Sequence, residues 1–161
     1  MTRIAFLLFS FLAGAAGAAD LRAFDAGSPA AIRQAEAGKP YILAFWSLTC
    51  EPCRAEMKLL KAAQQRHRGL RVHLVSVDPP EDAQAMEAFL RRYDPGPAVR
   101  WVFSDAFSER VRHAVDPGWR GELPRTYLVG RDQRVQAVSG TLKEGDLKRW
   151  LAAQRRAAGS G

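Results

Sequence analysis

AFWSLTCEPCRAEM, residues 44–57, holds both of the chain's cysteines, Cys50 and Cys53, at the junction between two different periodicities. Upstream, YILAFW (41–46) is a continuous apolar run bounded by Pro40, the pattern of a strand covered on both faces. Downstream, Cys53, Met57, Leu60 and Gln64 recur at helical spacing from Glu51 to about His67, and Gly69 follows as a stop. The pair therefore sits at the mouth of a helix that leaves a buried strand.

Three uses of such a pair are open: a metal site, a staple or a redox dithiol. A closed zinc site needs four ligands, and the remaining candidates His67, His73 and His113 form no ligand-like pair and lie near no second C-x-x-C. A staple between residues so close constrains little of the unfolded chain. A dithiol suits the position. Pro52 costs nothing in a first helical turn, and the unpaired N–H groups of that turn, with the helix dipole, favour a negative sulfur at Cys50. A lowered pKa would make Cys50 the attacking thiolate, and Cys53, one turn further in, the more buried sulfur that resolves the mixed disulfide.

Working outward, SPAAIRQAEAG (28–38) predicts a short helix with Ser28 as N-cap, Pro29 in the first turn and Gly38 as stop. It follows a short start at Leu21 to Phe24. From Tyr41 onward the expected order is β-α-β-α-β-α-β-β-α. LRVHLVSV (70–77) is a second strand, with His73 as a packed or surface histidine, and EDAQAMEAFLRRY (81–93) an amphipathic helix. VRWVF (99–103) is a third strand, followed by a helix from about Ala106 carrying Phe107, Val111 and Val115. RTYLV and RVQAVS flank the turn-like GRDQ as an antiparallel hairpin. A last helix is expected from Thr141, whose T-x-x-E spacing to Glu144 suits a capping box. The fold class is α/β, a sheet with helices on both faces.

The 161 residues suffice for one domain with its own core. Residues 1–19 run from Arg3 through the apolar Ile4–Leu12 into small residues, the order of a cleaved secretory signal peptide; an uncleaved membrane anchor is the alternative. Residues 20–161 form the domain, with 155–161 as a fraying tail. Export implies an oxidising compartment, in which stable disulfides are allowed. The formal charge of +7 comes from scattered basic residues without aromatic interleaving, so no nucleic-acid groove is indicated. An acidic partner or an anionic membrane surface is compatible with it.

FWSLTCEPCRAEM (45–57) followed by LPRTYLV (123–129) resembles the thioredoxin superfamily, and within it the exported TlpA and ResA-like thiol-disulfide oxidoreductases. The resemblance implies a thioredoxin-like fold with a central mixed sheet. It makes Cys50 the nucleophile and Cys53 the resolving cysteine. Pro124 matches the family's cis-proline, whose flanking backbone, here at Leu123, lies beside the cysteines and pairs with substrate. Trp46 matches the aromatic that precedes the active site, and with Leu123 and Pro124 it is expected to contribute to substrate binding. Glu56 stands where ResA-like proteins carry an acidic residue, and would tune the cysteines or carry the proton that leaves Cys53. Ala44 stands where thioredoxin itself has a buried aspartate, so any proton relay falls to Glu56 or water. DPGWRGE (116–122) is expected to form a loop near the active site, with Trp119 buried beneath it.

The function these readings imply is reduction of protein disulfides in the periplasm, for example of the haem-attachment cysteines of apocytochrome c. The dithiol would be re-reduced by a membrane thiol carrier, and the chain is expected to act as a monomer with no cofactor beyond the Cys50–Cys53 disulfide. Two rivals use the same cysteines: a disulfide oxidant or isomerase, and a copper-handling module in which Met57 joins the thiolates.

Overall fold

The computed structural model describes residues 21–159. The expected signal peptide lies outside these residues. Six strands form one sheet in the order β1-β4-β3-β2-β5-β6. They are β1 (Leu21–Phe24), β2 (Tyr41–Trp46), β3 (Arg71–Ser76), β4 (Val99–Phe103), β5 (Arg125–Val129) and β6 (Val135–Ser139). The first four run parallel to one another; β5 runs antiparallel to β2, and β6, antiparallel to β5, returns to the direction of the first four. The short start at Leu21 is thus a real edge strand, paired to β4 from Leu21↔Arg100 to Phe24↔Phe103.

Five helices cover the sheet: α1 (Ser28–Ala35), α2 (Glu51–Arg66), α3 (Ala83–Tyr93), α4 (Ser108–Val115) and α5 (Glu144–Gly159). All six residues of β2 are buried, as its unbroken apolar run predicts. Their side chains alternate between two cores. Ile42, Ala44 and Trp46 pack with Met57 and Leu60 of α2, Met86 and Leu90 of α3, and Leu147 and Leu151 of α5. Tyr41, Leu43 and Phe45 pack on the other face with Ile32 of α1, Val111 of α4 and Trp119. A helix on each side of a mainly parallel sheet is what two apolar faces require.

Several helix starts differ from expectation. Ser28 lies inside α1, and Gly27 is the N-cap. The Asp25 carboxylate accepts the Gly27 and Ser28 N–H groups instead, an Asx turn doing the work of a cap. A 3-10 turn at Pro80–Asp82 precedes α3. α4 begins at Ser108, leaving Phe107 outside the helix and 64% exposed. α5 begins at Glu144, so Thr141 forms no capping box. The nearby Leu142 N–H is bound to a side chain of α2, described below. α5 then continues to Gly159, so residues 155–159 of the expected tail are helical. Among the described residues no helix is long and apolar enough to cross a membrane.

Candidate active site

The C-terminal end of β2 delivers the chain into a tight turn at Ser47–Thr49, closed by a bond from the Cys50 N–H to the Ser47 carbonyl (3.2 Å). Asp78, just past β3, secures this turn. Its Oδ2 accepts the Leu48 N–H at 2.9 Å and the Ser76 hydroxyl at 2.7 Å. Nothing in the local sequence pointed to Asp78, because the contact depends on β2 and β3 being neighbours.

Cys50 is the N-cap of α2, with Pro52 in its first turn. Cys50 and Cys53 are joined in a disulfide. Cys50 is 9% exposed and Cys53 2%, so the outer sulfur is the one a substrate reaches first. Cys53 is the more buried sulfur, as its place one turn into the helix predicts. Glu51 is exposed.

Beneath the disulfide is a cavity of about 10 Å³, lined by Ala44, Trp46, Cys53, Glu56, Met57 and Pro124 among others. That is about the room for a single water. Glu56 is 3% exposed, a carboxyl buried on the face of α2 that turns toward the sheet. One carboxylate oxygen accepts the Thr126 hydroxyl. The other accepts the Leu142 N–H at 3.0 Å. Burial pushes its pKa above the ordinary 4.5, and the bonds from Leu142 and Thr126 pull the other way without cancelling it. Thr126 faces Ala44 across the β2–β5 ladder. The helix thus supplies a carboxyl to the cavity that Ala44 helps to line.

The Leu123–Pro124 peptide is cis, as the resemblance implied. Pro124 is buried and borders the cavity with Cys53, while Leu123 is half-buried. Next to it Arg125 anchors the 116–122 loop. Its guanidinium pairs with Asp116 at 2.5 Å and Glu122 at 3.2 Å and donates to the Tyr127 hydroxyl at 2.9 Å. The Gly118 N–H, then Arg125, hold Asp116 below the usual carboxylate range. Burial pushes the Tyr127 phenol up to about 12. Trp119 is buried as expected, its indole N–H on the Glu122 carbonyl at 3.0 Å and its ring 4.6 Å from Phe45.

Trp46 is 2% exposed and stacked on Phe89 at 4.9 Å. A substrate contact from it would need the indole uncovered. Met57 is 1% exposed and packed in the core, as its helical spacing suggested. His73 is also buried, with Nε2 3.2 Å from Glu36 and Nδ1 accepting the Trp101 indole N–H, and it pairs with Leu43 in mid-strand.

A C-x-x-C at the mouth of a helix, a cis-proline beside it and this mixed sheet define a thioredoxin-like fold. Solved structures agree at the level of fold. The secreted Mycobacterium tuberculosis disulfide oxidoreductase homologous to Escherichia coli DsbE superposes with a TM-score of 0.58 at 20% identity, covering 74% of this chain and 85% of that one. StoA from Bacillus subtilis gives 0.54 at 19% identity, over 71% and 84%. The chain belongs to the AhpC/TSA family, whose model it matches over residues 18–138. Among curated proteins it is similar to the thiol-disulfide oxidoreductase ResA of Geobacillus kaustophilus, 26% identical over 115 residues, 71% of this chain and 62% of that protein. The ResA of Bacillus subtilis strain 168 is 27% identical over 108 residues, 66% and 56%. The chain thus spans about three fifths of the length of these relatives.

Proposed function

We propose that this protein is a thiol-disulfide oxidoreductase that reduces protein disulfides outside the cytoplasm. The observation that carries the reading is the pairing of a reachable sulfur at a helix N-cap with a buried one above a buried carboxyl. In the reduced protein the first-turn N–H groups of α2 stabilise the Cys50 thiolate. It attacks one sulfur of the substrate disulfide, and the other leaves as a thiolate that takes up a proton. Cys53 then loses its proton, attacks Cys50 and releases the second substrate thiol. Two electrons pass to the substrate, whose two sulfurs take up one proton from solvent and the equivalent of the one lost by Cys53, and the Cys50–Cys53 disulfide remains.

Glu56 is the acceptor for the Cys53 proton, directly or through one water in the cavity. A carboxyl with a raised pKa holds a proton more readily than an exposed one, which suits it to that exchange. Leu123 and the cis Pro124 present backbone to the substrate beside the cysteines. Apocytochrome c with oxidised haem-attachment cysteines fits as a substrate. A thiol carrier in the membrane fits as the electron source, since the periplasm offers no thiol buffer. Export on the N-terminal apolar segment, and action as a monomer, complete the proposal.

The test is a trap. Cys53→Ser should accumulate a mixed disulfide through Cys50 with a protein substrate, and Cys50→Ser should form none and turn nothing over. A Cys53→Ser protein that captures no disulfide substrate, while the wild type binds Cu(I) tightly at one equivalent, would replace the enzyme with a metal carrier.

A further inference from the structure

Strands β1, β4, β3 and β2 are parallel, so all four begin at the pole of the sheet opposite the disulfide. The 16 residues of α2 separate the two poles by about 24 Å. At the far pole lies a groove of about 670 Å³ rimmed by Lys39, Arg66, Arg68, Arg71, Arg131 and Arg155. Its floor includes Leu70 and Leu151. Glu144 engages Arg66 and Glu36 engages Arg71. Among the described residues, Lys39, Arg68, Arg131 and Arg155 have no carboxylate within ion-pair distance. Arg131 donates to the Gly38 carbonyl and Arg155 meets His67. His67, in the same groove, is held below its ordinary pKa by burial and then by Arg155 and Arg66.

So much uncompensated positive charge beside apolar floor residues calls for an anionic counterpart. The cations come from separate elements: the lead-in to β2, the end of α2, the β5–β6 turn and the end of α5. They form a broad rim rather than an enclosed pocket for one small anion. The chain enters β1 at Leu21 at this same pole, directly after a segment whose sequence carries the apolar run Ile4–Leu12. Arg22 and Arg100 border a second cleft on the β1–β4 side of the sheet.

We propose that this basic pole rests on an anionic phospholipid surface, its arginines among the headgroup phosphates, with the disulfide pole held toward the solvent. Each cation near such a surface contributes about fivefold in partition. None of these residues touches the cysteines, so the contact leaves their chemistry unaltered; it faces the disulfide away from the bilayer, and re-reduction by a membrane thiol carrier would take place in molecules released from the surface.

The test uses the full chain at low salt with vesicles of phosphatidylcholine, alone or with added phosphatidylglycerol. Arginines are modified with phenylglyoxal and read by peptide mass spectrometry. Phosphatidylglycerol should slow modification of Arg68, Arg131 and Arg155, leave Arg110 and Arg120 unchanged, and lose this effect at high salt. The combined Arg68→Gln, Arg131→Gln, Arg155→Gln variant should partition about a hundredfold more weakly on those vesicles. The same charge loss at Arg110, Arg120 and Lys143 should matter far less. Equal protection on both vesicle types, protection at Arg110 and Arg120 instead, or equal loss from both variants would overturn the proposal. Equal protection by soluble glycerol phosphate would also overturn it, reassigning the groove to a free anion.

Discussion

Glu56 occupies a helix face that otherwise carries apolar side chains, and its two partners explain why it is tolerated there. Thr126 and the Leu142 N–H give its oxygens bonds that burial would otherwise deny them. The raised pKa has a consequence for stability. The folded protein binds the Glu56 proton more tightly than the unfolded chain does, so this residue's contribution falls as pH rises from 4.5 through the raised folded value. Glu56→Gln removes that titration. Urea unfolding should show its stability relative to wild type improving as pH rises through this window and levelling off on either side. A gap that stays constant between acidic and neutral pH would mean that burial leaves Glu56 unperturbed. In single-turnover kinetics the same variant should slow resolution of the mixed disulfide by roughly 10²-fold or more, the range for a lost acid–base group. Glu56→Ala is a harsher change. It strands a buried hydroxyl and a buried N–H, at roughly 1–3 kcal/mol each.

At the scale of elements, the loops that approach the disulfide are held by ionic and polar side chains. Asp78 fixes the turn before Cys50, and Arg125 fixes the 116–122 loop beside Pro124. Asp116→Asn removes the charge that faces an Arg125 side chain only 11% exposed. It should destabilise the fold by roughly 1–3 kcal/mol, as expected for a hydrogen bond to a charged group. It should also admit protease within residues 116–122, read by limited proteolysis and by a red shift of Trp119 fluorescence. Unchanged proteolysis would show that the apolar contact of Trp119 with Phe45 suffices alone. Elements whose period is complete within themselves were legible in the sequence, as YILAFW and the α2 stripe illustrate. Their ends were less so, because competing bonds come from afar. The T-x-x-E at Thr141 reads as a cap locally, yet α5 starts at Glu144 and Glu56, from a distant helix, takes the Leu142 N–H.

Across the whole molecule, the parallel arrangement of the first four strands is what gives it two different ends, one carrying the sulfurs and the other the cations. The cysteine pair could be found from spacing, and Glu56 and the cis peptide at Pro124 from resemblance. Pairing of β1 with β4, the role of Thr126 and the gathering of Arg66, Arg131 and Arg155 at one pole could not. Each depends on chain segments far apart in sequence becoming neighbours. The measurement that bears most directly on the proposed direction of electron flow is the reduction potential of the Cys50–Cys53 pair, taken against a dithiothreitol or glutathione buffer series. A reductant fed from the membrane requires a value near or below thioredoxin's, about −270 mV, whereas a value near about −120 mV would make the protein an oxidant and contradict the account.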